Sequence, residues 1–143
     1  MNDSIKIPTW FYVVAAIAVL WNAMGVWAYI STMTMTVEAL VAMPEAQQQI
    51  HNDTPAWANG AFAIAVFGGL LGSILLLLKK ALAYPVLLIS LLAVLVQMFN
   101  AFFIMNSFAV FGPGGVIMPI MVIVIGALLV WLAKYAKSKN WIN

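Results

Sequence analysis

The chain has 143 residues, 66% of them hydrophobic and 7% charged, with six lysines, no arginine, four carboxylates and one histidine. So little polar surface cannot coat a water-soluble globule of this size, which leaves an integral membrane protein. The formal charge of +2 rests on a few lysines rather than a basic face, which argues against nucleic-acid binding, and zero cysteines remove disulfides, thiolate nucleophiles and soft metal ligation together.

In chain order, the first apolar run goes from Trp10 to about Ile30, with Pro8 ahead of it as a helix-start residue. It is long enough to cross a hydrocarbon layer of roughly 30 Å. It also exceeds the apolar part of a signal peptide, and no small-x-small cleavage site follows it, so it reads as a retained span. The second run opens at Thr54-Pro55-Ala56-Trp57, a polar N-cap candidate followed by proline, and continues over 56–78 to Lys79-Lys80. Three residues, Ala81 to Ala83, separate that stop from Tyr84-Pro85, so the third span, over 84–105, returns antiparallel as a hairpin. Phe111-Gly112-Pro113-Gly114-Gly115 then breaks the chain as a turn between helices, although such a glycine run also invites comparison with channel loops. The fourth span covers 116–133 and ends in Lys134, Lys137 and Lys139.

These spans form one membrane domain over 1–143, an all-α four-transmembrane-helix bundle. Lys6, Lys79, Lys80, Lys134, Lys137 and Lys139 all fall on one side of it. Because flanking lysines are held back from translocation, that side reads as cytoplasmic and both termini lie there. The outer loop, 31–55, carries Glu38, Glu45, Asp53 and His51 without a positive charge. Val37, Leu40 and Val41 at helical spacing, then Pro44-Glu45 as a first turn running toward His51, predict an amphipathic cap on the outer surface. No internal repeat relates the two halves, so any symmetry comes from assembly into a homo-oligomer or a larger membrane complex.

Asn22 and Gln97 each lie about 13 residues from the lysine border, roughly 20 Å deep along a straight helix. A shared depth predicts a hydrogen bond between them, serving either to glue helices or to form a polar ligand layer. Asn100 lies one turn outward from Gln97 and Tyr29 about two turns outward from Asn22, so the four sketch a polar strip opening to the outside. Trp21, beside Asn22, fills the core or stacks on a flat ligand. In the second span Ala61, Ala65, Gly69 and Ser73 recur every fourth residue beside Gly68-x-x-x-Gly72, a small-residue stripe that predicts the closest helix contact. Trp10, Trp57, Tyr84, Tyr135 and Trp141 read as interfacial anchors.

Candidate chemistry is sparse. Glu38, Glu45, His51 and Asp53 match no metal-ligand spacing and read as solvated loop residues. No acid or base stands inside a span, which removes the usual carrier for proton coupling. The expectation is therefore a protein without enzymatic activity and without a metal, and the residues name no cofactor. Facilitated passage of a small uncharged or amphipathic solute is the first expectation; an accessory subunit, or a protein that holds a lipid, quinone or carotenoid, is the second.

The pattern Leu20-Trp21-Asn22-x-x-Gly25-Val26-x-Ala28-Tyr29, then Met43-Pro44-Glu45, then Pro55-Ala56-Trp57 leading into Ala61 to Gly69, resembles a family of small bacterial membrane proteins often labelled sugar transporter-like. The resemblance covers about the first two-thirds of the chain, with Pro85 and Gln97 also fitting, and the fourth span matches as apolar helix alone. It implies a four-span protein of the bacterial inner membrane, surrounded by lipid, and carries over no substrate residues. In outline the chain also looks like four-span proteins of the DoxX type, without a motif match.

Overall fold

The computed structural model describes residues 6–143, and every regular element among them is helical. Thr9–Met33 forms α1, Val37–Val41 α2, Glu45–Asp53 α3, Ala56–Leu77 α4 and Ala83–Phe99 α5, which continues into a π-helical turn at Asn100–Ile104. Ser107–Phe111 forms α6, and a 3-10 turn at Pro113–Val116 leads into α7, Ile117–Ser138. The four long segments are each apolar and long enough to cross a membrane, which makes this a multi-pass membrane protein.

Where the helices depart from the sequence expectation, local chemistry explains the difference. Residue Thr54 does not cap α4. Its hydroxyl donates to Ile50 O at 2.6 Å, closing α3, and Pro55 takes the N-cap position instead. Helix α7 runs five residues beyond Ala133, because Lys134 and Lys137 end the apolar run without ending the helix; lysines in a last turn favour the negative end of the helix dipole. The cap over 31–55 is two short helices, as expected, with Thr36 Oγ1 accepting from Ala39 N–H at the start of α2. The Gln48 side chain donates to Met43 O at 2.7 Å, which ties α3 to the turn before it. Val37 and Val41 are 74% and 62% exposed, and Leu40 is the one residue of α2 that is half-buried.

Helices α4 and α7 finish alike. Lys79 and Asn140 adopt left-handed backbone, with φ of 64° and 61°. The Lys80 N–H reaches Leu75 O at 2.8 Å, and the Trp141 N–H reaches Ala136 O at 2.9 Å. Each closure satisfies carbonyls that a helix end leaves free and folds the following residues back over the bundle. After α7 this brings Trp141 onto Trp10, Phe11 and Tyr135 in edge-to-face contacts of 5.7, 5.5 and 5.4 Å.

The spans pack in the order α1, α4, α5, α7, each against the next. At one end a single core joins all four: Phe11 and Ala15 from α1, Leu76 from α4, Leu87 from α5 and Leu132 from α7. The Asn143 N–H also bonds to Lys79 O at 3.1 Å there. The segments carrying the six lysines therefore converge on this lysine end, while α2 and α3, with Glu38, Glu45 and Asp53, form the opposite, cap end. Asp3, the remaining carboxylate, lies outside the described residues. Around the spans, large side chains such as Leu20, Trp27 and Phe103 face outward, a surface suited to lipid chains.

Phe11 is fully buried at the centre of the lysine-end core. In lipid, truncating it forfeits packing but not transfer from water. Phe11→Ala is therefore expected to cost about 2 kcal/mol, below the roughly 3–5 kcal/mol of water-soluble cores. Unfolding by SDS titration from mixed micelles checks the value; an unchanged midpoint contradicts the closure.

Candidate functional site

The closest contacts in the bundle gather on one face of α4. Asn22, on α1, donates from Nδ2 to Ala18 O at 2.8 Å and to Ser73 Oγ at 3.0 Å, and the Ser73 hydroxyl passes its own proton to Gly69 O at 2.7 Å. From the other side, Ser90 on α5 donates to Ala65 O at 2.6 Å. Gly69 lies between the two: a side-chain carbon there would collide with Asn22 Oδ1 and stand 3.3 Å from Ser90 Oγ. At Gly72 the same addition would come within 2.6 Å of Leu87. The predicted small-residue stripe is thus a double interface, with α1 and α5 both resting on α4. Ala61, Ala65, Gly69, Gly72 and Ser73 are buried, and Gly68 sits against Ser90.

Toward the cap end α1 and α7 part, and the gap becomes an inner cavity of about 350 Å³ lined by all four spans. Its polar groups come from Asn22, Ser90 and Gln97, and none of its lining side chains is titratable. Trp21, Phe62 and Val122 are among the apolar walls. Met24 and Met118 line it too, and both are mostly exposed, so the cavity opens sideways toward the lipid between α1 and α7.

A second cavity, about 290 Å³, lies above it under the cap helices. Gln47, His51 and Thr54 come from the α3 segment, Asn59 from α4 and Asn100 from the π turn. Four methionines, Met33, Met35, Met43 and Met105, fill out its wall with flexible thioethers. Gln97 and Phe62 line both cavities, so they form the partition between them. Phe62 is braced by Tyr29, edge-on at 5.2 Å, and Tyr29 also meets Phe67 at 5.8 Å.

Asn100 is the outlier in this outer cavity. It is only 4% exposed, and its Oδ1 has no hydrogen-bond partner among the described residues. A buried acceptor left in that state costs about 1–3 kcal/mol. Asn100 opens the π turn, its carbonyl accepting from Met105 N–H five residues on at 2.8 Å. One extra residue in the turn breaks the regular α-helical register there, a deviation that recurs at functional sites.

Of the residues singled out from sequence, Trp21 and Asn22 line the inner cavity, Asn100 the outer one and Gln97 both. Tyr29 lines neither and serves as a brace for Phe62. The expected bond between Asn22 and Gln97 is replaced by the bond from Asn22 to Ser73, and the Gln97 amide makes no hydrogen bond to another described residue. The shared depth read from the residues does not hold: Asn22 meets Gly69, which stands level with Ser90, and Gln97 follows Ser90 by seven residues, roughly 10 Å nearer the cap at 1.5 Å per residue. Of the four loop candidates His51 alone lines a cavity, and Glu38, Glu45 and Asp53 do not. The outer cavity itself escaped the sequence reading. A signal was present: Gln47, Ile50, His51 and Thr54 follow an i, i+3, i+4, i+7 spacing, which places them on one helix face.

Fold and site together define a four-span helical membrane protein with two stacked internal cavities. No family model, curated protein or solved structure matches the chain.

The double interface makes a sharp prediction. In Gly69→Ala the added carbon forces the Asn22 amide away from Ser73, so the variant is expected to lose about 1–2 kcal/mol. In a double-mutant cycle of Asn22→Ala and Ser73→Ala, coupling of about 0.5–1.5 kcal/mol is expected, while Gln97→Leu stays near neutral. Additive single effects, or a Gln97→Leu variant as unstable as Asn22→Ala, contradict the arrangement.

Proposed function

We propose that this protein moves a small uncharged or amphipathic solute across a bacterial inner membrane, catalyses no reaction, and works as an oligomer or within a larger membrane complex. One observation carries the reading: all four spans line a cavity whose polar groups are neutral amides and a hydroxyl, with no titratable side chain. Such walls hydrogen-bond a neutral solute, whereas an ion would meet no counter-charge and keep its desolvation cost. The same neutrality leaves no proton carrier, so passage down a gradient is the mechanism that these residues support. The resemblance of the Trp21-Asn22 and Pro55-Ala56-Trp57 segments to small bacterial proteins labelled sugar transporter-like points the same way.

In this reading the lysine end is cytoplasmic, because lysines flanking short loops resist translocation. Solute then comes from the cap side, through the outer cavity and past Gln97 into the inner one. To reach the cytoplasm it requires α1 and α7 to separate where Phe11, Trp141 and Leu132 pack. That closure also favours the second reading, an accessory subunit or carrier that holds a lipid, quinone or carotenoid without releasing it inward. The sequence carries no internal repeat that relates its two halves, so a symmetric pathway in this reading belongs to an assembly of chains.

Two experiments test these statements. An amine reagent confined to the outside of intact spheroplasts is expected to modify none of Lys6, Lys79, Lys80, Lys134, Lys137 or Lys139; labelling at any of them reverses the orientation. Stopped-flow swelling of proteoliposomes in small polyols is expected to outpace protein-free vesicles and to fall about tenfold in Gln97→Leu with thermal stability kept, as a dry constriction replaces the amide. Wild-type flux no faster than that of protein-free vesicles discards transport in favour of the holding role.

A further inference from the structure

The outer cavity mixes side chains that can donate or accept, among them Gln47, Asn59 and Gln97, with oxygens left as acceptors alone. Thr32 and Thr54 have already given their hydroxyl protons to Ala28 O, at 2.8 Å, and Ile50 O, at 2.6 Å. Both residues line the cavity, and their hydroxyls have only lone pairs left to offer. Asn100 adds a buried carbonyl oxygen. Its Oδ1 is the one buried side-chain polar atom without a partner among the described residues, and as an acceptor it calls for a ligand that donates.

Charge narrows the ligand further. A cationic group would want a carboxylate in the wall, yet Glu38, Glu45 and Asp53 do not line the cavity. An anionic group would want a lysine, and the six lysines lie at the opposite end of the bundle. His51 is the sole titratable side chain in the wall. The polar part of the ligand is therefore neutral and carries O–H or N–H donors.

Shape supplies the rest. Gln97 and Phe62 separate this polar cavity from the apolar inner one, which opens sideways to lipid between Met24 and Met118. A molecule with a polar head and an apolar tail fits that sequence of environments end to end. We propose that the outer cavity is a head-group site for a neutral, hydrogen-donating amphiphile, with Asn100 Oδ1 as its principal acceptor and the tail passing Gln97 into the inner cavity. The assignment rests on the reading of the inner cavity as a site for an uncharged solute, and it adds the orientation and the chemistry of the head. Such a head could belong to a membrane lipid or to a free polyol, and the tail requirement selects the lipid.

The test uses the protein in nanodiscs with a monoacylglycerol brominated in its tail, whose two free hydroxyls donate. Trp21 lines the inner cavity, so a tail seated there quenches its fluorescence, and a Trp21→Phe sample subtracts the other tryptophans. Saturable quenching is expected with the diol head. It should weaken about tenfold for the same molecule with both hydroxyls methylated, for a trimethylammonium head, and in Asn100→Leu. Thr32→Val, which removes a second acceptor, should weaken it in the same direction. Without ligand Asn100→Leu should melt no lower than the parent, because it removes an unpaired buried acceptor. Equal binding of diol and dimethyl ether, or unchanged binding in Asn100→Leu, overturns the head assignment. Displacement of the amphiphile by free glycerol at a comparable concentration overturns the tail and leaves a polyol site. Absence of saturable quenching by any head overturns the proposal outright. In each case the inner cavity is judged separately, by polyol flux in Gln97→Leu.

Discussion

Everything in this bundle depends on how closely α1 and α5 approach the small-residue face of α4. In water a helix buries its apolar side because the other side is polar. Here both sides are apolar, and lipid chains satisfy a leucine as well as a protein core does, so hydropathy cannot choose which face turns inward. Size chooses instead. Gly69 and Gly72 leave room for Asn22 and Leu87, and two serines bond across the gaps that result. The contacts are modest one by one, but in lipid they are the differences that fix the rotation of each helix about its axis.

The outer shape follows from that choice. Helix α4 spends its small face on α1 and α5 and has little left for α7, which is held by α5 and by the core at the lysine end. A four-helix arrangement with one weak seam closes where large side chains fill the seam and splays where they do not. Phe11, Trp141 and Leu132 fill it at the lysine end. Toward the cap the seam carries the inner cavity, and methionines at the rim and in the outer wall give both cavities adaptable boundaries.

Much of this was legible in the residues, and the reasons for the rest are specific. Span number, the hairpin at Lys79 to Tyr84, the helical cap and the stripe on α4 are all one-dimensional signals, and each reads directly from spacing. The partner of Asn22 does not, because counting from a lysine border gives depth only where helices start at one level, and α1 starts farther toward the lysine end than α5. Gln97 therefore lies about two turns nearer the cap than Asn22, although both line the inner cavity. Ser73 is the partner, hidden inside a run that spacing marked only as small. Ser90 is a lone hydroxyl in an apolar span, and its bond to the Ala65 carbonyl becomes visible only once α4 and α5 are set face to face. The π turn at Asn100 carries no composition signal in this chain, and without it nothing points to the outer cavity as a polar chamber.

The aromatic cluster at the lysine end has an optical consequence. Trp10 and Trp141 hold their rings 5.7 Å apart at an angle of 75°, and Trp131 stacks on Tyr135 at 5.2 Å and 14°. Indole transition dipoles fixed at such separations and skewed angles couple as excitons, and the pair gives a signed couplet in ultraviolet circular dichroism that freely turning side chains lack. One ring of the first pair sits on α1 and the other follows α7, so the couplet reads the seam between those helices. Light absorption alone, without an attached probe, thus distinguishes a closed from a parted lysine end.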